Sequence, residues 1–142
     1  MRKVVLLFAP LLMAQAAPQP LVPEGIHRPA TEQPHLCGFT AASVDALQQK
    51  ITSDPSFHEH NSNERYRVFN READFVQFVF PRPGFLSFPM ATCMHLTQAS
   101  DGTVNMSRQL HCAGTRDECD RIFVQWNDHD NEVRRGLASQ RQ

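Results

Sequence analysis

The chain has 142 residues, enough for one domain of ordinary size and too few for two. With 14 basic and 15 acidic side chains its formal charge is −1, and no segment gathers the cations that binding to a run of phosphates requires, so nucleic-acid binding is excluded. No apolar run reaches the about 20 residues of a membrane-spanning helix.

Met1-Arg2-Lys3 is a positive start, Val4 to Met13 is a short apolar run interrupted by Pro10, and Ala14-Gln15-Ala16-Ala17 is a small-residue end. These are the three parts of a secretory signal, expected to be cleaved after about Ala17. A lipid-anchored product is disfavoured because the first cysteine is Cys37. Loss of residues 1–17 removes Arg2 and Lys3, so basic residues fall from 14 to 12 and the balance moves to −3. The mature protein is expected to have no stable membrane insertion.

Residues 18–36 follow, with five of the ten prolines at Pro18, Pro20, Pro23, Pro29 and Pro34. Such a stretch reads as an extended or disordered arm. From Thr40 to Thr52 the spacing of Val44, Leu47 and Ile51 predicts a helix, capped by Thr40 or Ser43 and stopped at Asp54-Pro55.

Arg65 to Phe69 and Asp74 to Phe80 are rich in aromatic and β-branched residues and read as two strands. A tight turn at Arg71-Glu72 would set Val68 opposite Phe75 and Tyr66 opposite Gln77. Phe69, Val76, Phe78 and Phe80 then share a face with Arg65 and Arg67. Both faces of this hairpin are apolar. Either the Pro-rich arm, held by Cys37, covers the Phe-rich face, or that face is an exposed patch that receives a partner.

Phe88 to Gln98 and Thr103 to Cys112 flank Ala99-Ser100-Asp101-Gly102, a hairpin loop with Gly102 in the left-handed position and Ala99 opposite Thr103. In that register Met90, Thr92, Met94, Leu96, Val104, Met106, Leu110 and Cys112 share one face, with Arg108 the exception. Cys93, His95 and His111 lie on the other. A shift of one residue would mix the two sets.

Thr115-Arg116-Asp117-Glu118 is a capping box that opens a last helix. Its apolar stripe runs through Cys119, Ile122, Phe123, Trp126, Val133 and Leu137, with a weak turn expected around Asn127 to Asn131. Trp126 is a core residue by this spacing. The expected fold is a two-layer α+β domain over residues 37–138, with a tail at 139–142. It is a four-stranded antiparallel meander covered on one face by both helices, in the order α-β-β-β-β-α.

Four cysteines allow three pairings. The hairpin register favours Cys112 with Cys119, six residues of chain between them, and leaves Cys37 for Cys93. There is no C-x-x-C for redox chemistry or haem attachment. His58-Glu59-His60 offers two imidazoles near Glu64 for a metal, should a third ligand converge. Cys93 with His95 and His111 could form a nucleophilic set only if Cys93 were a free thiol. Asn105-Met106-Ser107 matches the glycosylation triplet but sits mid-strand. No phosphate-binding loop, dinucleotide fingerprint, H-E-x-x-H or G-x-S-x-G is present, and no cofactor is expected. The expected function is that of a non-enzymatic binding or structural domain, periplasmic or secreted, that meets an envelope or extracellular protein through Phe69, Val76, Phe78 and Phe80. The alternative is a small exported metal-binding protein or enzyme using His58 and His60 or the Cys93, His95, His111 face.

Overall fold

The computed structural model describes residues 32–139. The expected signal peptide, most of the Pro-rich arm and the last three residues of the tail lie outside them. The described chain is a mixed α+β fold built on a five-stranded antiparallel sheet, with a separate two-stranded ribbon at its start.

The ribbon pairs β1 (His35–Leu36) with β2 (Phe39–Thr40), so structure begins inside the segment expected to be an arm. Its two-residue turn is Cys37-Gly38, both at positive φ (48° and 81°), the combination a type I′ turn requires. Glycine supplies such angles freely; the cysteine is held there by its disulfide. Helix α1 follows as Val44–Ser53. It starts later than the spacing suggested, because Phe39 and Thr40 belong to the ribbon. The Ser43 hydroxyl caps it by accepting from the Ala46 N–H at 3.1 Å.

The main sheet has the order β3 (His58–Glu59), β4 (Tyr66–Arg71), β5 (Val76–Pro81), β6 (Met90–Gln98), β7 (Val104–Cys112). The short edge strand β3 makes five strands rather than the four expected. The β6–β7 register is the one that separates apolar from polar: Met90 faces Cys112, Met94 faces Arg108 and Leu96 faces Met106. The β4–β5 register is not the one expected. Val68 faces Val79 and Tyr66 faces Pro81. The strands extend further than a tight turn at Arg71-Glu72 allows, because a 3-10 turn (Glu72–Asp74) and Phe75 at φ 53° make the reversal. The slide is four residues, an even number, so each side chain keeps the face that alternation assigned it.

Helix α2 runs unbroken over Arg116–Ser139, with no turn at Asn127 to Asn131. The capping box forms as drawn from the sequence. Glu118 accepts from the Thr115 N–H at 2.7 Å, and Thr115 Oγ1 accepts from the Glu118 N–H at 3.4 Å.

The two helices do not share a face. Leu36, Val44, Leu47, Ile51 and Phe57 bury Phe69, Val76, Phe78, Phe80, Ala91 and Cys93 on one side of the sheet. Cys119, Ile122 and Trp126 bury Tyr66, Val68, Val79, Met90 and Cys112 on the other. The sheet is therefore a middle layer. The reason is in β4 and β5, whose two apolar faces each need a cover. One disulfide fixes each cover: Cys37 to Cys93 on the α1 side and Cys112 to Cys119 on the α2 side.

Candidate functional site

The expected partner patch is closed. Phe69, Val76, Phe78 and Phe80 are at most 4 % exposed, and Phe39 and Phe57 pack edge-on to Phe78 with ring centroids at 5.4 and 5.7 Å. The ribbon pinned by Cys37 and α1 cover this face, so the sequence alternative in which it is an open patch is set aside. The residues are core.

The other sequence candidates are also not brought together. His58 and His60 are exposed at the sheet edge. Between them Glu59 is taken by Arg67 in a two-point ion pair at 2.7 and 3.2 Å, and by the Ser62 hydroxyl at 2.8 Å. These donors hold the Glu59 carboxyl down at about 2. Among the described residues no three His, Cys, Asp or Glu side chains stand where one metal ion could join them. Cys93, His95 and His111 do share a face, as the register requires, but the Cys93 sulfur is spent in its disulfide and cannot act as a nucleophile.

A site the sequence did not single out lies on the α2 side. A helix is about 10 Å across and five strands at about 4.8 Å spacing span nearly twice that. One helix cannot roof the whole sheet. Helix α2 lies along β7, as its disulfide to Cys112 and the Arg134 contact to the Met106 carbonyl show. A cleft of about 390 Å³ remains over β4 and β5. Its floor is Val68, Gln77 and Val79. Gln125, Trp126 and His129 of α2 form one wall, and Asn61 and Asn63 of the β3–β4 loop the other, with Tyr66 at the end.

Each aromatic wall residue is held firmly. Asn63 Oδ1 accepts from the Arg65 and Tyr66 N–H groups at 2.8 and 2.9 Å, and this side-chain turn sets the start of β4. The Tyr66 ring packs edge-on to Phe85 at 5.1 Å and to Trp126 at 5.5 Å. Over the Trp126 ring stands the Arg108 guanidinium, 4.4 Å from the centroid. That cation is itself fixed: it donates to both Asp130 oxygens at 2.8–3.0 Å and to Thr92 Oγ1 at 2.8 Å, and the two charged side chains are each 6 % exposed. Arg108, the misfit on the apolar face of β7, thus meets Asp130, an acid on the apolar stripe of α2. A cation over an indole also draws electron density from it and strengthens its N–H as a donor.

Within this framework two donors stand out. Tyr66 Oη and Trp126 Nε1 are buried and have no hydrogen-bond partner among the described residues. Burial pushes the Tyr66 hydroxyl above the ordinary tyrosine range, with Gln125 and Arg65 pulling weakly the other way. It therefore stays protonated and able to donate. The Gln125 amide stands beside it without completing a bond of good geometry. A buried polar group left without a partner costs about 1–3 kcal/mol, and both of these groups belong to residues that line the cleft. No Lys, Arg, Asp or Glu lines the cleft. The arrangement can bind a polar molecule. Sequence reasoning placed Trp126 in the core, which is correct, but its neighbours Gln125 and His129 face the cleft for a reason of sheet width that spacing along one element does not reveal.

No helix among the described residues is long and apolar enough to cross a membrane, and two disulfides fit an oxidising compartment. No family model, curated protein or solved structure matches the chain.

Proposed function

We propose that the protein is an exported, disulfide-stapled binding domain of the cell envelope or extracellular space, and that it holds a small ligand in the cleft between α2 and β4–β5 without transforming it. The observation that carries this reading is the cleft itself, lined by Tyr66 and Trp126, whose hydroxyl and indole N–H are buried without a hydrogen-bond partner among the described residues. In support, Arg108, Asp130, Asn63 and Phe85 hold the two rings in place, which is the rigidity a preformed pocket needs. The positive, apolar, small-residue start and the two disulfides support export.

Native mass spectrometry of the protein purified from its exported fraction, without reductant, tests this. The expected mass is that of the chain less its signal and four hydrogens, with a small molecule retained. Gln125→Phe, on the exposed side of α2, fills the cleft mouth and should lose that molecule while melting as the parent does. A bare mass in the parent, or an adduct that Gln125→Phe retains, contradicts the reading.

A further inference from the structure

We infer that the ligand of this cleft is a neutral, polyhydroxylated molecule, a saccharide of one or two rings. The inference rests on the cleft being the binding site and adds the chemistry of what fills it. None of the nine lining side chains is Lys, Arg, Asp or Glu. An ammonium would be moved out of water with no opposite charge to receive it, and a carboxylate would have only the His129 imidazole, so an uncharged ligand suits this lining better. The indole N–H only donates, and the protonated Tyr66 hydroxyl is the second unpartnered group. Asn61, Asn63, Gln77 and Gln125 also line the cleft with amides, which donate on one atom and accept on the other; of these, Asn63 Oδ1 is already taken by the Arg65 and Tyr66 N–H groups and Gln77 donates to Asn70. A ligand of acceptors alone, such as an ester or a ketone, would leave amide carbonyls unanswered. A hydroxyl group accepts twice and donates once, and several on one ring answer both kinds of wall group together. Val68 and Val79 supply an apolar floor for the C–H face of such a ring. The volume, about 390 Å³, is at the low end of small-molecule pockets. Gln125, exposed on α2 and beside the Tyr66 hydroxyl, is the side chain that moves aside as a ligand hydroxyl takes its place.

Trp126 is the only tryptophan, so its indole N–H gives one signal in a nitrogen–proton correlation spectrum without assignment. The full-length product, purified from its exported fraction and then unfolded, freed of small molecules and refolded with its disulfides intact, is titrated with maltose, N-acetylglucosamine, succinate and a capped trialanine peptide. At least one sugar is expected to move the indole signal saturably, and succinate to leave it in place. Tyr66→Phe keeps the ring and its packing, and should weaken the sugar by roughly 2- to 10-fold, the effect of one hydrogen bond. Gln125→Phe, which stays folded by its melt, should abolish the response. A saturable response to succinate or the peptide alone overturns the ligand class while leaving the cleft as a binding site. No response to either sugar, even at high millimolar concentration, overturns the inference, and the retained mass in the native spectrum then judges the binding reading separately.

Discussion

Arg108 and Asp130 are the residues on which the α2 side turns. A buried ion pair is not in itself strong evidence of stability, since removing both charges from water costs much of what their attraction returns. Breaking it is another matter. Asp130→Ala leaves the guanidinium buried among Thr92 and Trp126 with no counter-charge. The expected loss is about 3–5 kcal/mol in urea unfolding, and replacing both partners with apolar side chains of similar size should recover most of it. A second residue-scale effect follows from Glu59. Arg67 and Ser62 lower its carboxyl from 4.5 to about 2. A group whose folded pKa is depressed contributes stability that is fully present above its unfolded value and is lost as pH falls through the folded one. Stability should therefore decline between about pH 4.5 and 2, with Asp74, paired with Arg71, acting in the same direction. Glu59→Gln, assayed by urea midpoint at pH 6 and pH 3, should show a smaller fall than the parent. An equal fall would mean that the ion pair is not formed in solution.

Among the elements, the hairpins divide what could be read from what could not. The β6–β7 register was legible because Gly102 fixes the turn and only one alignment sorts Met90, Leu96, Leu110 and Cys112 from Cys93, Gln109 and His111. The β4–β5 register was not, because its turn has no glycine and the positive φ falls on Phe75, an exposed aromatic that reads as a strand residue. The faces survived the error since the slide was even. Which helix covers which face was illegible for a related reason. With apolar residues on both sides of β4 and β5, alternation gives no preference, and only the disulfides separate the two covers. The role of Phe78 changes accordingly. Fully buried against Phe39, Phe57 and Phe80, it should cost about 3–5 kcal/mol when replaced by alanine, read from denaturant or thermal unfolding. A folded, equally stable Phe78→Ala protein would restore the open patch.

At the scale of the whole molecule, two covers of unequal width explain where a site can be. The ribbon, α1 and the Cys37–Cys93 bond cover the Phe-rich part of one face, while α2 and the Cys112–Cys119 bond cover the other and leave the cleft over β4 and β5. In the chain-entropy model the long and short disulfide loops contribute about 4 and 2.5 kcal/mol, before strain. The cysteine pairing was readable from register alone. The cleft was not, because it depends on the width of a sheet whose fifth strand, His58–Glu59, is two residues long and carries no strand signal. The central claim is that a ligand in this cleft takes the hydrogen bonds of Tyr66 and Trp126, and the Trp126 indole signal tests it most directly. Protein isolated gently from its exported fraction is compared with the same protein unfolded, freed of small molecules and refolded with its disulfides intact. The account predicts two different indole positions, the gently isolated one returning when the released molecules are added back. Identical positions in two equally folded samples would show that nothing but solvent answers these donors, and would contradict it.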